Sequence, residues 1–254
     1  MTDLPSSSVV RPRIDRVVVV VPAHNEERLL PACLASIDRA AGELDIPVTV
    51  TVVLDACTDT SRRVVPAHVG VLERETKSVG AARRAGFAPH LETAATADTW
   101  FATTDADSEV PRDWLVRHIE SADAGSDVFV GTVRPTSWES WSPSVAAMFS
   151  ERYVSEDGHH HVHGANLGVR ADWYRRVGGF AERSGDEDVD LVRRLRSRGA
   201  GIDRSGRAPV LTSTRADGRA DTGFAAYLYT LEVLARSVDP ESDPASVTAG
   251  EANR

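Results

Sequence analysis

Two aspartates separated by one residue, Asp105-Ala106-Asp107, are the sharpest chemical feature of this sequence. They follow a short apolar stretch and precede Pro111, a residue suited to the first turn of a helix. Carboxylates so spaced at a strand end can point the same way and hold a hard divalent cation, leaving coordination positions for a diphosphate. A second acidic group, Glu187-Asp188-Val189-Asp190, opens a segment whose Val189, Leu191, Val192 and Leu195 recur at helical spacing. The helix dipole favours acidic residues in a first turn, so capping alone could explain that group. Half of the eight histidines, His159, His160, His161 and His163, fall within five positions. Such tracts can bind metal, but without periodicity around them these four read as a mobile, solvated loop, with His163 the one candidate ligand.

The elements that must carry these groups alternate in type. Residues 16–21 are a continuous β-branched run, the mark of a strand buried on both faces of a parallel sheet. Further strands are expected at 48–54, 69–72, 99–104 and 127–133. Helices are expected after residue 28, with Asn25, Glu26 and Glu27 as cap and acidic first turn, and at 58–65, 79–89, 111–122, 186–198 and 223–236. Strand, helix, strand, helix at this spacing argues for an α/β fold around a mostly parallel sheet. In such sheets ligands bind beyond the carboxyl ends of the strands, and four of these ends are polar: 22–26, 55–59, 77–83 and 105–107.

Composition narrows the function classes. The chain has 254 residues, 41% hydrophobic and 26% charged, which excludes a mainly disordered or fibrous protein. A net charge of −9 argues against a nucleic-acid partner. Cys33 and Cys57 cannot build a disulfide framework or a cysteine zinc site, so a reduced, cytoplasmic setting is expected. The longest strongly apolar run, 17–21, is far short of the roughly 20 residues of a membrane span, and no signal peptide is expected. Residues 1–13 and 238–254 read as flexible tails flanking one domain over 14–237.

Taken in order, the motifs resemble family 2 glycosyltransferases of the GT-A fold. The first strand and turn, Val-Val-Val-Val-Val-Pro-Ala-His-Asn-Glu-Glu at 17–27, are similar to the opening of that family. Leu54-Asp55-Ala56-Cys57-Thr58-Asp59 is similar to its nucleobase-binding turn, with Ala56-Cys57 where Gly-Ser is more usual. Residues 77–86 resemble its Gly-and-Arg helix start, Asp105-Ala106-Asp107 its metal-binding triplet, His163-Gly164-Ala165-Asn166 with Val177-Gly178-Gly179-Phe180 its acceptor-side loop, and 187–195 its catalytic-base helix.

The resemblance implies a nucleotide-sugar half over about 14–130 and an acceptor half over about 131–237. Pro22, Ala23 and Glu26 would line the nucleotide pocket, Asp55 would contact base or ribose, and Lys77 and Arg83 would balance the diphosphate. Asp107 would hold Mn2+ or Mg2+ directly, Asp105 would touch the ribose or a metal-bound water, and His163 is a further metal candidate. Gly164, Asn166 and Glu187 are expected at the substrate, and Asp188 as general base toward an acceptor hydroxyl. Arg215 and Arg219 could reach the diphosphate, and Trp138, Trp141 and Trp173 could stack on a sugar or fill core. The implied reaction is metal-dependent, inverting transfer from a nucleotide-diphosphate sugar to a small molecule, glycan or lipid, with peripheral membrane contact allowed. The alternatives are a non-catalytic nucleotide-sugar binder and a sugar-phosphate nucleotidyltransferase.

Overall fold

The structure is a computed structural model and describes residues 11–91, 96–183, 185–215 and 223–238. The tails expected at the two ends lie almost wholly outside the described residues, as does Arg219. In chain order the elements are β1 (Arg16–Ala23), α1 (Leu30–Ala41), β2 (Val48–Asp55), β3 (Gly70–Arg74), α2 (Val79–Phe87), β4 (Thr99–Thr103), β5 (Ser108–Glu109), α3 (Trp114–Asp123), β6 (Val128–Pro135), α4 (Pro143–Arg152), β7 (Leu167–Arg170), α5 (Ala171–Arg176), α6 (Glu187–Ser197), β8 (Ile202–Thr212) and α7 (Phe224–Val238). Eight strands form one sheet in the order β3-β2-β1-β4-β7-β6-β8-β5. β3, β2, β1 and β4 are parallel, β6 and β8 are parallel to each other, and β7 runs antiparallel between β4 and β6.

Successive side chains of a strand point to opposite faces, which explains why β1 needs valine at five consecutive positions. Val17, Val19 and Val21 join the core with Leu34 and Ile37 of α1 and Trp114 of α3. Val18 and Val20 join the other core with Phe87 of α2, Phe101 of β4 and Leu191 and Leu195 of α6. With both faces covered, the open margin for a ligand is the carboxyl end of the strands.

Several local expectations change. The first helix begins at Leu30, not among the acidic residues, and no side chain caps it. Asn25 instead takes φ 53°, and its Oδ1 accepts from the Thr58 and Asp59 N–H groups at 2.7 and 3.2 Å, tying the β1 turn to the β2 turn. Residues 58–65 form only a single 3-10 turn, Ser61–Val64. Strand β8 escaped the sequence because it reads Ile-Asp-Arg-Ser-Gly-Arg-Ala-Pro-Val-Leu-Thr, polar and broken by Pro209. Its pairing with β6 jumps from Ser205 to Val210, an irregularity that absorbs Ala208 at φ 55° and the missing N–H of Pro209.

Candidate active site

A cavity of about 730 Å³ lies over the ends of β1, β2 and β4 and is bounded on the other side by the start of α6, Gly223 and the start of α7. Pro22, Ala23, Glu26, Asp55, Lys77, Arg83, Asp105, Asp107, His163, Gly164, Glu187 and Asp188 all line it, so twelve residues singled out from sequence meet in one place. Asn25, Ala56, Lys77 and Asp186, in the cavity wall or next to residues of it, hold positive φ between 52° and 55° without being glycine. Backbone strain of this kind persists where surrounding structure over-determines it, and it gathers at functional sites.

The Asp105-Ala106-Asp107 turn is fixed from below by the buried Ala106 and by Cys33, whose Sγ donates to the Asp105 carbonyl at 3.3 Å. The two carboxylates then diverge. Asp105 accepts from Arg83 Nη2 at 2.5 Å. Asp107 faces Glu26 and the guanidinium of Arg215, which donates to both, at 3.1 Å to Asp107. Burial, with the nearby charges of Asp105 and Glu26, raises the Asp107 carboxyl to about 7 despite Arg215.

Arg83 is 2% exposed and bridges Asp105 to Glu187. Expected at the diphosphate, it lines the cavity with its charge shared between two protein carboxylates. Two glycines allow the arrangement. A Cβ on Gly164 would collide with the Arg83 guanidinium, and one on Gly80 would collide with the Ala181 carbonyl, so α2 could not approach the start of α6.

The three carboxylates that open α6 have different partners. Glu187 pairs with Arg83, and Asp190 with Arg193 at 2.6 Å and Arg194 at 2.7 Å, which hold its carboxyl below the ordinary value. Among the described residues Asp188 accepts only from backbone N–H groups, Gly164 at 2.6 Å and Val189 at 2.7 Å. Burial and the neighbouring Glu187 charge raise it to about 6. A general base works best with a value near the operating pH, which the raised Asp188 carboxyl approaches.

Asp55 departs from expectation. Oδ1 accepts from the Thr76 and Lys77 N–H groups, and Oδ2 from the Thr76 hydroxyl and the Ser78 N–H, at 2.6 to 3.1 Å. A carboxylate offers about four lone-pair positions, so these four bonds leave none for a base or ribose. Burial works against ionisation here, yet the four hydrogen bonds hold the carboxyl below its usual value. His24, which the sequence reading did not single out, lines the cavity beside it and donates Nδ1–H to the Asp55 carbonyl at 2.6 Å.

Asn166 is also corrected. It is fully buried, with Nδ2 donating to the Thr132 and Ala208 carbonyls and Oδ1 accepting from Trp114 Nε1, so its amide joins β6, β8 and α3 outside the cavity. Of the four histidines His160 is exposed, as expected of a solvated loop, but the other three are buried or half-buried. His159 is 1% exposed and donates to the Val130 carbonyl, and His161 stacks on Tyr153 at 4.1 Å between ring centroids. Tyr153 bonds His163 Nε2 at 2.9 Å, and burial with the His161 and His159 neighbours pushes His163 down to about 3, so it is neutral. Trp138 and Trp141 pack against the core and Trp173 lies under Arg176; none of the three lines the cavity.

A divalent cation is compatible with these residues. Among the described residues no three His, Cys, Asp or Glu side chains converge as a ready-made metal cage. Magnesium-type ions, however, commonly bind one or two carboxylates plus substrate phosphates. Asp107 offers hard oxygens in an acidic setting where a guanidinium already supplies positive charge.

Residues 18–178 match the family model described as Glycosyl transferase family 2. An undecaprenyl-phosphate 4-deoxy-4-formamido-L-arabinose transferase of Aeromonas hydrophila is 30% identical over 167 residues, 64% of this chain and 50% of that one. The enzyme of the same name from Klebsiella pneumoniae strain 342 is 34% identical over 151 residues, 56% of this chain and 44% of that one. The chain thus spans about half the length of these curated relatives. The crystal structure of S. aureus TarS 1-349 in complex with UDP-GlcNAc shares the fold at a TM-score of 0.60 and 15% identity, covering 90% of this chain and 67% of that one. The matched segment takes in β1 through α5 and the Asp105–Asp107 turn, more than half of the sequence, and the chain belongs to glycosyl transferase family 2.

Proposed function

We propose that the cavity binds a nucleotide-diphosphate sugar and that the protein transfers the sugar to an acceptor with inversion. The observation that carries this reading is that Asp107 and Asp188, both raised toward neutrality, face one cavity from different layers of the fold. The nucleotide lies over Pro22, Ala23 and the turn organised by Asp55, and the diphosphate reaches the triplet, with Lys77 at the same wall. Asp107 would hold a Mn2+ or Mg2+ ion, with Asp105 beside it, and the ion would neutralise charge on the departing diphosphate. Arg83 holds Asp105 and Glu187 in place. Asp188 takes the acceptor proton at Oδ1 or Oδ2 as the oxygen attacks the anomeric carbon, its carboxylate aimed by Gly164. One displacement inverts that centre.

The names of the relatives make a polyprenyl phosphate one acceptor to try, whose ionised phosphate oxygen would attack without a base; glycans, whose hydroxyls would need Asp188, are the other. Among the described residues no helix is long and apolar enough to cross a membrane. The free thiols of Cys33 and Cys57 fit a cytoplasmic setting. The test is a thermal-shift panel of nucleotide diphosphates and their sugars, with and without Mn2+, followed by transfer assays with the donor selected. A ligand that binds the folded state must raise its stability. A metal-dependent shift with one nucleotide class and release of its diphosphate on adding acceptor are expected. Binding without transfer would favour the non-catalytic reading, and pyrophosphate exchange with a sugar phosphate would favour a nucleotidyltransferase.

A further inference from the structure

Arg215 sits where a cation is wanted. The Ser213 N–H donates to the Asp107 carbonyl at 3.2 Å, and the Arg215 N–H donates to Ser213 Oγ at 3.3 Å, fixing the backbone against the acidic turn. The guanidinium then forks. Nη1 donates to Glu26 Oε2 at 3.0 Å, and Nη2 donates to Glu26 Oε1 and to Asp107 Oδ2. The Glu26 side chain is 7% exposed and that of Asp107 21%, so without the fork two carboxylates would face each other with little water between them. The Arg215 side chain is 31% exposed and lines the cavity, so its head can turn from the carboxylates into that space.

We propose that Arg215 is an exchangeable internal counter-cation: it clamps Glu26 and Asp107 until a divalent ion and a diphosphate arrive together, and then passes to the diphosphate. The proposal rests on the reading of the cavity as a metal and diphosphate site. The physical argument is competition. A guanidinium and a metal ion want the same Asp107 oxygens and repel each other, so an ion entering alone must displace the charge-assisted bond to Asp107 and stand beside a guanidinium that Glu26 still holds. A diphosphate offers the same guanidinium two new anionic acceptors, which removes that cost. Metal and nucleotide should therefore bind cooperatively, and Arg215 should be the source of part of that coupling.

The experiment measures Mn2+ binding to the whole chain by titration calorimetry, alone and with saturating UDP or GDP, whichever binds the parent. The variants are Arg215→Gln and, should that not fold, Arg215→Lys, which keeps the charge without the fork. Arg215→Gln should bind Mn2+ alone about tenfold more tightly than the parent, the scale of one charge-assisted interaction no longer displaced. The increase in Mn2+ affinity caused by the nucleotide should shrink in the same variant. Arg215→Lys should shift both quantities the same way by less. Unchanged or weaker binding of Mn2+ alone overturns the counter-cation role even if the parent binds metal and nucleotide well. A parent that binds neither Mn2+ nor any nucleotide diphosphate overturns the reading of the cavity itself, and this proposal with it.

Discussion

Arg83 on α2 donates to Asp105 at 2.5 Å, and its other terminal nitrogen donates to Glu187 at the start of α6, so one buried cation joins the acidic turn to the helix that carries Asp188. The guanidinium also lies 5.5 Å from the Phe180 ring centroid. A shift of Arg83 would release a carboxylate on each side of the cavity.

Replacing Arg83 by Met should therefore be severe. Removing one partner of a buried ion pair leaves an uncompensated charge and costs on the order of 3–5 kcal/mol. Urea unfolding of Arg83→Met should show that loss, and the double variant Arg83→Met/Glu187→Met should recover part of it. Gly164→Ala should mimic the single variant in weaker form, because its methyl group displaces the guanidinium. A wild-type midpoint for Arg83→Met would mean that water replaces the cation freely.

Asp55 leads to a different expectation. Asp55→Asn puts an NH2 group among N–H donors of the Thr76–Ser78 turn, costing roughly 1–3 kcal/mol for the bonds to a charged acceptor that are lost. With the carboxylate's acceptor positions taken by the turn, affinity should fall evenly for UDP, GDP and dTDP in calorimetry. A change in the order of preference would show Asp55 touching the base.

The contrast between Asp55 and Asp188 shows what was legible in the sequence. Strand ends and acidic helix starts are local patterns, so the cavity wall and the parallel half of the sheet could be read directly. Which donors a carboxylate meets depends on segments distant in sequence. Thr76 reaches Asp55 from the far side of β3, and Arg215 reaches Glu26 from the end of β8. The histidines show the same limit: four polar rings without periodicity look solvated, yet Tyr153, ten residues from His163, bonds one of them and stacks on another. Asn166 is expected at the substrate because His163-Gly164-Ala165-Asn166 resembles the family's acceptor-side loop, but its amide satisfies carbonyls at the irregular β6–β8 pairing. The positive φ values at Asn25, Ala56, Lys77 and Asp186 had no glycine to announce them.

The metal-free protein should also carry a pH signature from Asp107. Its folded value of about 7 lies above the ordinary 3.8, so the folded state binds a proton that the unfolded state has released. That contribution is fully present below about 4 and is lost as pH rises through about 7. Asp107→Asn removes it. In EDTA the variant should melt higher than the parent near pH 8 and show no such advantage near pH 4. With Mn2+ and nucleotide added, the parent should gain stability and the variant should not.

Asp188 provides the test that separates binding from chemistry. Its neighbours Glu187 and Asp190 are neutralised by arginines, whereas Asp188 keeps an ionisable carboxylate held by the Gly164 and Val189 N–H groups. A base must be unprotonated to act, so transfer at saturating donor and metal should climb about tenfold per pH unit below its value of about 6 and level off above it. Asn keeps the size and an oxygen that can accept the Gly164 N–H, but it cannot take a proton. Asp188→Asn should therefore bind donor as the parent does and lose transfer by roughly 10²–10⁴-fold, the range for a positioned base. The residual rate should also lose its rise through about pH 6, because the titrating group is gone. A variant with near-parental turnover and the same pH profile would reduce Asp188 to a support for the Gly164 loop. Unchanged donor affinity with a flat, slow profile would place the proton transfer on this carboxylate.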